Sequence, residues 1–341
     1  MLARRFIRPA AVAFLASTAV PASALADWVR YNPGGNYCAD ARDVGDVVSQ
    51  HLAFGSSPLQ STDGTSYSPV LFYSSCYETS DGNAEVLYQF GPSPIYSTGG
   101  RLENLSVTPS GNVWGAASPE SGGSLWITQH GSFWGVPWYN WSRKNPPPGG
   151  ASSIAAVDDN HLYATSLNQS CSGADRCVYY SANAGASWSP VAKGTFASMQ
   201  AGAVEVAYDS TAGVSWLRTA NGHVLRFTSH YNGWMSWAGY DDVGEQGLPV
   251  DPAGVPVGAL RLAVHGGNAF IITKGSRRVY MLPAGKQVWT ELGNLQAATD
   301  IAVNPISGAP YVVVDDGWWT TPGNSDPVDN IWFFPNPVPP P

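Results

Sequence analysis

The sequence predicts an all-β protein: a six-bladed β-propeller with four-stranded antiparallel blades, its ring closed by the mature N-terminal strand. Three observations predict it. Helix formers are scarce and no long stretch keeps a 3.6-residue period, while short β-rich runs are punctuated by Gly, Pro, Asn and Asp. A unit of three apolar runs and one aromatic-centred strand recurs six times. The sixth unit lacks its aromatic strand, and WVRY (28–31) stands unclaimed near the other end of the chain.

Each element follows from its place in the unit. The first runs lie around His51, Leu105, Ile154, Val204, Leu260 and Ile301. The second are PVLFY (69–73), VWGAA (113–117), LYATS (162–166), VSWLR (214–218), FIITK (270–274) and YVVVD (311–315). The third are VLYQF (86–90), LWITQ (125–129), VYYSA (178–182), VLRFT (224–228), VYMLP (279–283) and IWFFP (331–335). Tyr96, Trp141, Trp188, Trp237 and Trp289 mark the fourth. A four-stranded blade cannot cover both of its own faces, so blades must pack around an axis, with the fourth-strand aromatics as wedges between neighbours. WVRY completes the last unit and removes an open edge.

Composition narrows the setting. Charged residues are 12% of the chain, about half the usual fraction, against 14 Trp and 16 Tyr. Arg4, Arg5 and Arg8, a short apolar stretch broken by Pro21, and Ala24-Leu25-Ala26 predict a signal peptide over 1–26. The propeller then spans 27–334 and a proline-rich tail 335–341, in a secreted or periplasmic protein. The net charge of −8 falls further once the leader arginines are gone, which argues against nucleic acid as a partner. No later run is long enough for a transmembrane segment. Four cysteines in an exported chain favour two disulfides. Cys171 and Cys177 bracket one connection and pair locally, which leaves Cys38 with Cys76.

One turn, SANAGASW (181–188), follows the pattern Ser-x-Asp-x-Gly-x-Thr-Trp with Asn183 for Asp and Ser187 for Thr. It resembles the Asp-box of a set of propellers that includes sialidases and non-enzymatic proteins. Looser units such as VYMLPAGKQVWTEL (279–292) resemble tectonin-type lectin propellers. The resemblance implies a fold marker at the turn between third and fourth strands, remote from ligand. It carries no sialidase chemistry, because arginines are few and no positional match to that family's site exists.

Lettering the strands of a unit A to D, the A–B and C–D turns lie on one side of a propeller and the B–C and D–A loops on the other. The second side carries the bulk: 32–46, 142–150 and 239–258 between units, and 75–85, 168–176 and 315–330 within them. Long loops on a rigid scaffold build binding surfaces. Trp318 and Trp319 fill no repeat position, and Asp315 and Asp316 adjoin them. Indole faces with nearby carboxylates suit a sugar, while a core plug with turn-capping aspartates is the alternative. Asp242 and Arg143, in two D–A loops, extend this candidate ligand site. Asp241, Asp242, Glu245 and Asp251 offer oxygen ligands for calcium in a spacing that fits no calcium loop, so no cofactor or metal is expected beyond that possibility. HGSFW (130–134) and HYNGW (230–234) both read His-x-x-x-Trp at C–D turns. His130 with Trp134 and His230 with Trp234 are a secondary ligand site, or turns whose His replaces the capping Asn.

No catalytic residues can be named. The six histidines are dispersed, and no zinc spacing, nucleophile elbow, P-loop or dinucleotide fingerprint occurs. The leading reading is a propeller that binds carbohydrate or cell-surface glycan without turnover. The alternatives are a polysaccharide hydrolase or lyase on the loop-rich face, and a protein-interaction scaffold.

Overall fold

The computed structural model describes residues 29–30, 51–56, 69–77, 84–89, 94–98, 102–108, 112–117, 122–133, 136–167, 178–190, 202–231, 236–304, 308–314 and 331–335. Before residue 104, within 128–141 and 229–238, and at 313 and 331, the description is of backbone alone. The described residues form an all-β propeller with four-stranded antiparallel blades.

Strand β1 is Val29–Arg30. The first blade is β2 (His51–Ser56), β3 (Pro69–Tyr77), β4 (Ala84–Gln89) and β5 (Pro94–Thr98). The second is β6 (Leu102–Val107), β7 (Val113–Ala117), β8 (Leu125–Phe133) and β9 (Val136–Lys144). The third is β10 (Ala151–Ala156), β11 (Leu162–Ser166), β12 (Val178–Ser181) and β13 (Ser189–Pro190). The fourth is β14 (Ala203–Asp209), β15 (Val214–Thr219), β16 (Val224–Tyr231) and β17 (Ser236–Asp242). The fifth is β18 (Ala259–His265), β19 (Asn268–Thr273), β20 (Val279–Leu282) and β21 (Thr290–Glu291). These five blades, not six, are built from four consecutive strands, which corrects the expected count. The remaining sheet is composite. It holds β22 (Ala298–Val303), β23 (Pro310–Val314) and β24 (Ile331–Phe333), with β1 at its outer edge. Val29 pairs with Phe333 and Arg30 with Trp332.

The A strands lie side by side: β6 against β2, β10 against β6, β14 against β10, β18 against β14 and β22 against β18, with β2 also against β22. Apolar cores fill the seams. Trp114, Leu125 and Ile127 of the second blade meet Ile154, Leu162 and Ala164 of the third. Comparable sets join the third to the fourth, the fourth to the fifth and the fifth to the composite sheet. Because both faces of a blade are covered, its inner strands read as unbroken apolar runs rather than alternating ones. Each fully buried large side chain contributes ~1.5–3 kcal/mol.

A repeated bulge sets the seams. The ladder between A and B slips at Leu102/Asn104, Ala151/Ser153, Ala203/Glu205, Ala259/Arg261 and Ala298/Asp300. After the first four slips the next residue reaches the following sheet. Asn104 Oδ1 accepts from the Ile154 N–H at 2.8 Å, Ser153 Oγ from Val206 at 3.1 Å, and Glu205 Oε1 from Leu262 at 3.3 Å. Arg261 instead pairs with Asp300, Nε to Oδ1 at 3.5 Å. An amide, a hydroxyl and a carboxylate thus serve one role, meeting a backbone N–H of the next A strand that would otherwise go without a partner, while the guanidinium makes its tie through a side chain.

The expected aromatic wedges are realised where side chains are described. Trp188 and Trp289 stand one residue ahead of β13 and β21 rather than inside them. Each indole N–H reaches back to the exit loop of the preceding blade, Trp188 to the Asn145 carbonyl at 3.0 Å and Trp289 to the Gly244 carbonyl at 2.9 Å.

Candidate functional site

The turn at 181–188 is closed by its own polar atoms. Asn183 Oδ1 accepts from the Ser187 N–H at 2.9 Å and its amide donates to Ser187 Oγ at 2.8 Å. Ser181 Oγ accepts from the Gly185 N–H at 2.9 Å. Ala184 and Gly185 take φ of 53° and 77°. A Cβ at Gly185 would stand 3.7 Å from the buried Trp114 ring of the second blade. This turn therefore packs over a neighbouring core, in keeping with a structural role.

The two His-x-x-x-Trp segments are not turns capped by histidine. His130 lies within β8 opposite Tyr139, and His230 within β16 opposite Trp237. Both hairpins continue in regular pairing past the point where the third blade turns, so backbone partners replace the cap. Trp134 and Trp234 fall outside the described residues. So do Trp318, Trp319, Asp315, Asp316, Cys38, Cys171 and Cys177, while Cys76 is described as backbone in β3 opposite Glu85. The pairings and the loop platform thus lie outside what is described.

Arg143 and Asp242 belong to outer strands of the second and fourth blades, with the third blade between them. The acidic loop disperses. Asp242 accepts from Gly244 N–H at 2.9 Å and lies 3.0 Å from His223 Nδ1, with Glu245 at 3.4 Å on the same nitrogen. That nitrogen makes no hydrogen bond of acceptable geometry. Asp241 takes the Thr228 hydroxyl at 2.8 Å, and Asp251 closes its own turn through Ala253 and Val255. No group of three metal-ligating side chains converges among the described residues.

The geometry does assemble a site that the sequence pattern did not single out. At the A–B turn of the third blade, Asp158 Oδ1 accepts from the Asn160 and His161 N–H groups, both at 2.8 Å. The His161 ring puts Nδ1 2.7 Å from Asp158 Oδ2. A carboxylate has no proton to give, so Nδ1–H donates, and Nε2 of the neutral ring is an acceptor. Burial pushes the Asp158 carboxyl up. The imidazole bond and the two backbone bonds outweigh it and hold the group below its ordinary value.

His161 stacks on Tyr180 at 6.1 Å between ring centres. Tyr180 lies 5.2 Å from Tyr163, which stacks on Tyr208 of the fourth blade at 6.2 Å and 20°. The four rings form a half-buried ladder across the seam of the third and fourth blades, on the side of the A–B and C–D turns. Burial raises the Tyr163 and Tyr208 phenols, with neighbouring phenols adding for Tyr163 and the Asp209 and Asp158 charges adding for Tyr208. Both phenols therefore stay neutral donors at ordinary pH. Ring faces beside hydroxyl donors and a ring-nitrogen acceptor can stack on the C–H face of a sugar and bond its hydroxyls.

The ladder had a readable signal. Across each A–B ladder the bulge fixes a matching B-strand position, held by Trp114, Tyr163, Trp216, Phe270 and Tyr311. Trp114, Trp216 and Phe270 are at most 2% exposed, while Tyr163 and Tyr311 are half-buried. An aromatic series with polar members at two positions marks where the seams open.

No family model matches the chain, and no curated protein matches it in sequence. Among solved structures, several chains are similar to it at low identity. The Cps50 (Swd1) β-propeller domain of Myceliophteria thermophila is 9% identical over 77% of this chain and 93% of that one, with a TM-score of 0.45. A chain of a nidogen/laminin complex is 13% identical over 84% of this chain and 97% of its own, at 0.44. YCF48, bound to a D1 peptide, is 12% identical over 64% of each chain, at 0.41.

Proposed function

We propose that the protein is a secreted or periplasmic propeller that holds a carbohydrate or cell-surface glycan without turnover, on the tyrosine ladder of the third and fourth blades. The observation that carries this reading is the half-buried series His161, Tyr180, Tyr163 and Tyr208, with an oriented imidazole at its end. The described buried carboxylates are committed elsewhere. Glu205 holds Arg218 and a backbone N–H, and Asp209 holds four backbone N–H groups. With this reading go export through residues 1–26, closure of the ring by the N-terminal strand, the disulfides Cys38–Cys76 and Cys171–Cys177, and a further platform at Trp318 and Trp319.

A glycan array probed with the mature protein, followed by titration of the best hit, tests the proposal. Tyr180→Ala and Tyr208→Ala should each weaken binding by about tenfold, the scale of one lost ring contact. Binding unchanged in both would remove the ladder as the site, and an empty array would remove the glycan reading.

One observation favours a second reading. An Asp-oriented histidine beside two tyrosines is also the arrangement a polysaccharide lyase needs for proton transfer. Unsaturated product, measured by ultraviolet absorbance and lost in His161→Ala, would establish that reading instead.

A further inference from the structure

The opposite side of the ring carries two cations whose donors are not all used. Arg218 sits on β15 at its B–C end, with a side chain only 10% exposed. Its Nε donates to Glu205 Oε2 at 2.6 Å. The other oxygen of Glu205 takes the Leu262 N–H, so this carboxylate is bonded on both sides. Among the described residues the two Nη groups of Arg218 make no hydrogen bond, and they are not sealed from solvent as Arg226 Nε is. A guanidinium nine-tenths buried with its fork open carries an unusual desolvation penalty.

Lys274 completes the arrangement from the fifth blade. It follows β19, and its ammonium crosses the seam to the Ala220 carbonyl at 2.8 Å, two residues beyond Arg218. One of its three donors is thus occupied. Burial lowers the Lys274 ammonium from its ordinary value and the Arg218 charge lowers it further. Glu205 neutralises one of the two.

We propose that Arg218 and Lys274 form an anion site at the mouth of the fourth and fifth blades that takes a carboxylate group. Two cations against one carboxylate leave a single net positive charge. That matches a monoanion, where a phosphate dianion would remain half compensated. The open Nη fork matches the two oxygens of a carboxylate, and the ammonium can donate to either of them. The site lies on the side of the B–C and D–A loops, away from the tyrosine ladder, so it does not depend on the ladder binding anything.

The test uses the mature protein with acetate and glucuronate as probes, followed by the arginine Nε–H and lysine side-chain resonances in NMR spectra. Saturable shifts at Arg218 and Lys274 with both probes are expected. Glucose should give none. Lys274→Gln should weaken acetate binding by about fivefold or more while leaving the melting temperature unchanged. Arg218→Lys, which keeps the charge toward Glu205 and removes the fork, should lose the preference for acetate over chloride. The site is overturned if Arg218 shows no saturable shift, if Lys274→Gln binds acetate as the parent does, or if methyl phosphate binds more tightly than acetate. Glycan binding at the ladder can survive any of these results.

Discussion

The indole N–H of Trp289 donates to the carbonyl oxygen of Gly244 across the seam between the fifth and fourth blades. The indole itself is 2% exposed and packs with Trp216, Tyr280 and Leu282. Trp289→Ala should cost ~3–5 kcal/mol in urea unfolding, as a large ring lost from a core does. Trp289→Phe keeps most of the apolar contact and abandons the carbonyl, so it should cost less. Equal losses for the two variants would show that the hydrogen bond, and not the apolar contact, holds the seam.

Gly222 makes a sharper case. Its φ is 98°, and a Cβ there would stand 2.7 Å from Gly258 Cα of the next blade, backbone that cannot move aside. Its carbonyl also receives the Ala259 N–H at 2.8 Å. Gly222→Ala should destabilise by more than ~2 kcal/mol. Gly213→Ala, at φ 67° with nothing within 4 Å, should cost only the ~1 kcal/mol of the left-handed conformation. Thermal unfolding of the pair checks the difference.

The glycine contacts show what sequence could and could not convey. VWGAA and LYATS coincide with β7 and β11 to the residue, because strands buried on both faces leave an uninterrupted apolar run. The bulge residues Asn104, Ser153, Glu205, Arg261 and Asp300 occupy one ladder position with mixed chemistry, so no residue pattern exposes them. The alanines at the start of the slip, Ala151, Ala203, Ala259 and Ala298, are each 0% exposed and were the visible half of the motif. The ladder shows in sequence only when the B strands are aligned by their bulges, because Tyr163 alone reads as one more apolar strand position and its partner Tyr208 belongs to another blade. The histidines at 130 and 230 misled because their spacing matched a turn while the hairpins ran on as strands.

Two ion pairs should differ widely in worth. Glu205 and Arg218 are 6% and 8% exposed, so Glu205→Ala strands a buried guanidinium and should cost ~3–5 kcal/mol. Arg278 pairs with Glu291 at 2.8 Å with side chains 36% and 31% exposed. Arg278→Ala should fall within about 1 kcal/mol of the parent. Chemical denaturation of both variants at one ionic strength decides it.

Asp158 should leave a signature in acid. Its folded value lies below the ordinary 3.8, so its stabilising share is fully present above that pH and is lost as pH falls through the folded value. Asp158→Asn should therefore be less stable than the parent at neutral pH. The two stabilities should converge in strong acid. A gap that stays constant across the acid range would show that the carboxylate charge contributes nothing.

The pairing of Val29–Arg30 with Trp332–Phe333 has a consequence for biosynthesis. The first described strand to leave the ribosome finds its partner in the last, so it waits through the synthesis of every intervening blade. Until then two β edges stay unpaired and open to other chains. For this chain, a pause or truncation late in translation is thus more hazardous than one early, because it releases nearly all the blades with the first strand still without its partner.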